Sequence, residues 1–158
     1  MDRADESGRT PLFIASQMGR ADCVELLLTA GAAVDRADEG GLTPLHFASY
    51  HGRLGCVTRL LEAGAAINRV DKLGRTPLFA AIEMGGAGCV RQLLDSNAHL
   101  NQSALFQRIR LKAWSMHDKR VAHCLALAKQ QGAQRSHSEN RWAHPILCYL
   151  LPFRACGP

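Results

Sequence analysis

Apolar residues recur along the chain with the spacing of short helices, and the pattern returns every 33 residues. Cys23, Val24, Leu27 and Leu28 stand at relative positions i, i+1, i+4 and i+5, which places an apolar stripe along one side of a helix. The same stripe returns after one and after two periods. Because one short helix cannot bury such a stripe alone, the pattern predicts repeated units that stack on one another.

Threonine, proline and glycine mark the ends of two helices within each period. In the first period Thr10 can cap a helix whose first residue is Pro11, a position where the missing N–H of proline costs nothing. Gly19 ends this helix and Gly31 ends the next, because glycine adopts the left-handed conformation without strain. Asn97 takes the latter place in the third period, and asparagine also tolerates that conformation. The sequence therefore predicts helix-turn-helix units.

The recurring positions read D-x-x-G-x-T-P-L, then A-x-x-x-G, then V-x-x-L-L. They are carried by Asp5, Asp38 and Asp71, by Gly8, Gly41 and Gly74, and by the Thr-Pro-Leu triplets that begin at residues 10, 43 and 76. This pattern resembles the ankyrin repeat. The resemblance implies an all-α solenoid of stacked helix-turn-helix units with β-hairpin loops. Its three repeats occupy residues 2–34, 35–67 and 68–101.

The remaining residues carry a weaker version of the pattern. Residues 102–133 lack the Thr-Pro-Leu triplet, but Val121, Cys124 and Leu125 keep a helical spacing. We expect a degenerate fourth repeat there that acts as a C-terminal cap, because the last apolar stripe of a solenoid needs a polar cover. We expect residues 134–158 to be a flexible basic tail.

The charge of the chain is divided unequally. Residues 1–103 carry ten basic and twelve acidic residues, whereas residues 104–158 carry nine basic and two acidic ones, a net charge of +7. An alternative function is therefore anion binding, to nucleic acid or an acidic membrane, through the C-terminal region. The basic residues are scattered, and aromatic residues suited to stacking on bases are limited there to Trp114 and Trp142, so this alternative is the weaker one.

The sequence contains no P-loop, GxSxG, HExxH or dinucleotide-binding glycine motif. We therefore expect no enzyme, no cofactor and no small-molecule substrate. His137, His144, Cys148 and Cys156 have a spacing that matches no common zinc site, so no metal is expected. Cys23, Cys56 and Cys89 are interpreted as small core residues.

The chain shows no sign of export. Its apolar runs are far shorter than the roughly 20 residues that cross a bilayer, and the acidic start does not resemble a secretory signal. The six cysteines form no CxxC pair, which favours a reducing compartment. We expect a cytoplasmic or nuclear protein, most simply a monomer.

In ankyrin proteins, partners contact the hairpin tips and the outward side of the first helices. The resemblance assigns these positions to Glu6, Ser7, Arg9, Gln17, Met18, Glu39, Gly40, Leu42, Tyr50, His51, Lys72, Leu73, Arg75, Glu83 and Met84. The resemblance gives His46 a structural role, bridging neighbouring turns. The function it implies is a non-catalytic protein-binding module or adaptor.

One further alternative concerns the C-terminal region. Leu147-Cys148 and Leu151-Pro152 resemble fragments of the SOCS box, which recruits a ubiquitin ligase in some ankyrin proteins. The fragments lie too close together and the helical pattern between them is missing. Substrate recognition for a ubiquitin ligase therefore stays a minor alternative.

Overall fold

The computed structural model describes residues 2–98 and, beyond them, Ala126. Residues 2–98 form six helices in three consecutive pairs and contain no strand. The helices are α1 (Pro11–Met18), α2 (Ala21–Thr29), α3 (Pro44–Tyr50), α4 (Leu54–Glu62), α5 (Pro77–Glu83) and α6 (Ala87–Asp95). Apart from Ala126, the predicted fourth repeat and basic tail lie outside the described residues.

The first helix of each pair begins as the sequence predicts. Thr10, Thr43 and Thr76 are the N-caps, and each hydroxyl oxygen accepts a hydrogen bond from the backbone N–H three residues later, at 3.2 to 3.4 Å. Proline follows each threonine in the first turn, where its fixed φ suits a helix. The start of every first helix is therefore set by local sequence alone.

The second helices end in the left-handed conformation that the sequence predicts. Gly31 has a φ of 83° and Gly64 a φ of 81°, and Asn97 adopts a φ of 69° at the equivalent place. Each then donates its N–H back into the last turn of the helix. Asparagine in place of glycine therefore gives the second helix of the third unit the same left-handed end.

The pairs stack so that first helices pack on first helices and second helices on second helices. One leucine from each first helix and one valine from each second helix are buried at the centre of each unit. They are Leu12, Leu45, Leu78, Val24, Val57 and Val90. Two helical layers thus share one continuous core.

The three aligned cysteines do not share one environment. Cys56 and Cys89 are buried, as expected, but Cys23 is exposed. The interpretation of Cys23 as a core residue was therefore wrong. Cys56 and Cys89 lie on helices that pack against a preceding second helix, whereas within residues 2–98 no helix precedes α2 in its layer.

The loops that lead into the first helix of each unit reverse direction in tight turns. In the first, the N–H of Asp5 donates to the carbonyl of Arg9 at 3.0 Å, and the Asp5 carboxylate accepts the N–H groups of Ser7 and Arg9. Neighbouring tips are joined by single hydrogen bonds, such as that from the N–H of Glu39 to the carbonyl of Ser7 at 3.3 Å. The hairpins are thus hydrogen-bonded turns, without a strand ladder in the described residues.

Candidate functional site

The tips of the loops and the outward sides of α1, α3 and α5 form one surface, which we call the front face. None of the residues assigned to it from the sequence is buried. The exposed ones are Glu6, Ser7, Met18, Glu39, Tyr50, His51, Lys72, Leu73 and Met84. The partly exposed ones are Arg9, Gln17, Gly40, Leu42, Arg75 and Glu83.

Large apolar side chains lie in solvent on this surface. Met18 is 61% exposed, Leu73 is 66% exposed, and Tyr50 and Met84 are also exposed. All three units contribute at least one of them. Such side chains are enriched where proteins meet, although single exposed apolar residues also occur on ordinary surfaces.

Aspartate residues hold the turns of the front face rigid. In the third unit the Oδ1 atom of Asp71 accepts the N–H groups of Leu73 and Arg75, and Oδ2 accepts the Nε–H of Arg75 at 2.7 Å. In the first unit Asp5 binds Arg9 in the same way, and these hydrogen bonds lower the pKa of the Asp5 carboxyl. The tips are therefore closed by hydrogen bonds within the chain.

His46 joins two units from a buried position. Its Nδ1 faces the backbone N–H of Thr43 at 3.2 Å, so that nitrogen must accept and the proton lies on Nε2. Nε2 donates to the carbonyl of Arg75 at 3.0 Å. Burial lowers the pKa of His46 below its ordinary value, which keeps the ring neutral. The expected structural role of His46 is confirmed.

A pocket of about 300 Å³ opens on the front face between the second and third units. It is lined by Leu42, His46, Phe47, Tyr50, Asp71, Arg75 and Ala80. It brings together three residues that the sequence assigned to partner binding, namely Leu42, Tyr50 and Arg75. The assigned residues of the first unit do not line it.

Sequence reasoning missed the pocket, although one signal was present. Phe47 and Ala80 occupy the same position in successive units, one period apart. Phe47 packs against Phe13 of the first unit with 4.4 Å between ring centroids. His46 is the equivalent of Phe13 in the second unit, and the small Ala80 does not fill the space in front of His46 as Phe47 fills the space in front of Phe13, so a gap remains there as part of the pocket.

Two residues of the pocket lining, Phe47 and Tyr50, belong to an aromatic cluster with His51, which does not itself line the pocket. The ring of His51 lies 5.7 Å from that of Phe47 and 5.2 Å from that of Tyr50, the latter edge to face. Partial burial and the neighbouring Arg53 lower the pKa of His51, which favours its neutral form. His51 thus adds no positive charge beside the pocket near neutral pH.

The family model described as ankyrin repeats (3 copies) matches residues 1–71 and again residues 33–104. The chain belongs to the ankyrin-repeat family. Ankyrin repeats are generally protein–protein interaction modules and are typically non-catalytic. A search of curated proteins matches none of them to this chain.

The ankyrin units described here are built from short helices. Within residues 2–98 none of them is long and apolar enough to span a bilayer, since the longest have nine residues. The residues on the front face of this ankyrin chain differ between units. Its turns carry Glu6, Glu39 and Lys72 at one position, and its helices carry Met18, His51 and Met84 at another.

Proposed function

We propose that this chain is a non-catalytic module that binds a partner protein through the front face. The observation that carries the proposal is the row of exposed apolar side chains on that face, with members from all three units. Leu42, Tyr50 and Leu73 are the central anchors, because Leu42 and Tyr50 line the pocket between the second and third units and the N–H of Leu73 donates to Asp71, another lining residue. Polar and charged neighbours surround these anchors, as in the rim of a typical interface.

The rigidity of the front face supports the same function. Its turns are closed by aspartate hydrogen bonds, and its helices begin at fixed threonine caps. Ordering a flexible loop at binding costs free energy, so a surface that is already ordered loses less entropy. A rigid face of this kind suits recognition of one partner in one orientation.

We further propose that the module acts as an adaptor in a reducing compartment, the cytoplasm or the nucleus, and that it is a monomer. The thiols of Cys23, Cys56 and Cys89 are free, which fits such a compartment. The exposed Cys23 thiol in particular suits a compartment in which thiols stay reduced.

An affinity pull-down from cell lysate tests the proposal. The intact chain is compared with a variant that carries Leu42→Glu, Tyr50→Ala and Leu73→Glu, after washes at low and at high salt. A matched control carries Leu26→Gln, because Leu26 is exposed on α2, outside the front face. We expect to recover a partner protein that stays bound to the intact chain after the high-salt wash. The triple variant should not recover this protein, and the control should.

A different result would favour the anion-binding alternative. If recovery depends on salt and on residues 104–158, and the triple variant binds as well as the intact chain, the front face is not the working surface. The discriminating variable is salt, because screening weakens contacts between exposed charges far more than apolar contacts.

A further inference from the structure

The pocket between the second and third units exists because of one small side chain. Ala80 stands where the first two units carry Ile14 and Phe47. Between the first and second units, Phe47 fills the space by packing on Phe13. Between the second and third units that filling is missing, because Ala80 is too small to pack on His46 as Phe47 packs on Phe13. The space stays open, and Phe47 forms one of its walls.

The size and lining of the pocket favour one kind of bound side chain, which we call the guest. A volume of about 300 Å³ is at the bottom of the range of roughly 300 to 1,000 Å³ for small-molecule sites, and it suits one large side chain. Leu42, Phe47 and Tyr50 supply apolar and aromatic walls. Aromatic rings pair favourably with one another beyond the area that they bury, which favours an aromatic guest.

The charged rim of the pocket adds a second requirement. Arg75 uses its Nε to bind Asp71, and within the described residues its terminal nitrogens have no acceptor. The Asp71 side chain is only 1% exposed, so its carboxylate is directed at Arg75 rather than at a guest. Of the described lining residues, Asp71 is the acidic one. A guanidinium with free donors is complementary to a carboxylate.

We propose that this pocket receives an aromatic side chain of the partner and that an aspartate or glutamate next to it in the partner sequence pairs with Arg75. This inference rests on the proposed function, because it names the partner segment that the front face recognises. The guest is thus a short peptide segment with an aromatic residue and an acidic residue within two positions of each other. The aromatic residue supplies the buried area, and the acidic residue fixes its orientation.

The proposal is tested in two steps. Displayed random linear peptides are first selected for binding to the full chain, and the affinity of the selected peptides is then measured by fluorescence polarisation. Two variants copy residues that other units already carry. Ala80→Phe fills the pocket as Phe47 fills the equivalent space between the first and second units. Arg75→Leu replaces the guanidinium by the leucine that the second unit carries at this position, Leu42. Ala80→Ile, which copies Ile14, serves if the phenylalanine variant is unstable in a thermal melt. Leu26→Gln is again the control outside the front face.

The expected result is a shared aromatic–acidic pair in the selected peptides and binding weakened at least about tenfold by Ala80→Phe and by Arg75→Leu, with Leu26→Gln unchanged. Replacement of the acidic residue by its amide in the peptide should weaken binding to the intact chain but not to the Arg75→Leu variant. This second comparison shows that the acidic residue of the peptide pairs with Arg75 itself.

Two results would overturn the inference. One is that no peptide is enriched, or that the enriched peptides lack the pair. The other is that filling the pocket leaves binding unchanged. If the selected peptides nevertheless bind more weakly to the triple variant of Leu42, Tyr50 and Leu73 than to the intact chain, the front face remains the binding surface and only the pocket assignment fails.

Discussion

At the scale of single residues, two serines at the same position in the first two units differ in their hydrogen bonding. Ser16 donates its hydroxyl to the carbonyl of Leu12 at 2.8 Å, whereas the buried Ser49 hydroxyl has no partner among the described residues. The third unit carries Ile82 there. A buried hydroxyl without a partner costs free energy of order 1 kcal/mol or more.

We therefore expect Ser49→Ala to leave the free energy of unfolding unchanged or raise it by about 1 kcal/mol, and Ser16→Ala to lower it by about 1 kcal/mol. Urea unfolding of both variants and of the intact chain measures the difference. A larger loss for Ser49→Ala than for Ser16→Ala would show that the Ser49 hydroxyl is engaged.

The buried His46 predicts how stability depends on pH. Its pKa in the folded chain lies below the ordinary value of 6.5. As the pH falls below 6.5, the unfolded chain takes up a proton that the folded chain does not, so stability is lost until the pH reaches the lowered pKa of the folded state. The contribution of His46 is thus complete above pH 6.5, with a slope of at most about 1.4 kcal/mol per pH unit below it.

His46→Phe tests this dependence, because phenylalanine stands at the same position in the first and third units. Unfolding at about pH 7.5 and about pH 5.5 should show a smaller loss of stability on acidification for the variant than for the intact chain. Equal losses for both would mean that other groups carry the pH dependence.

At the scale of helices, two glycines pack where α4 and α6 meet the preceding second helix. A Cβ at Gly88 would lie 3.4 Å from the flexible end of Leu54, an ordinary contact. A Cβ at Gly55 would lie 3.3 Å from the Cβ of Ala21, which can move only with its backbone. Alanine is favoured over glycine in a helix by about 0.8 to 1 kcal/mol.

We expect Gly88→Ala to raise the free energy of unfolding by about 0.5 to 1 kcal/mol, and Gly55→Ala to gain less or to destabilise the chain. Thermal or urea unfolding gives both values, with the intact chain as reference. The packing argument fails if Gly55→Ala is the more stabilising change.

The elements themselves were predictable because their signals are local. Thr10 and Pro11 specify a helix start, and Gly31 a helix end, without help from the rest of the chain. The environment of Cys23 was not predictable in this way, because burial of that position depends on a helix of a neighbouring unit. The loops were expected as β-hairpins and have the expected reversal, but single hydrogen bonds join their tips.

At the scale of the whole molecule, stacking brings residues of successive units together on one surface. The sequence predicted which residues face outward on the front face, since the repeat places them at fixed positions in each unit, and none of them is buried. It did not locate the pocket, because the pocket depends on how Ala80 of one unit meets Phe47 of another. Contacts between units are the part of the site for which a repeat pattern gives the least information.

The central claim is that a partner protein binds the front face, and the affinity of the captured partner measures it most directly. Titration of the partner into the intact chain, the triple variant of Leu42, Tyr50 and Leu73, and the Leu26→Gln control should be made at about 50 mM and about 500 mM salt. We predict at least about tenfold weaker binding for the triple variant at both salt concentrations, with the control unchanged. Equal affinity of the triple variant and the intact chain would contradict the claim.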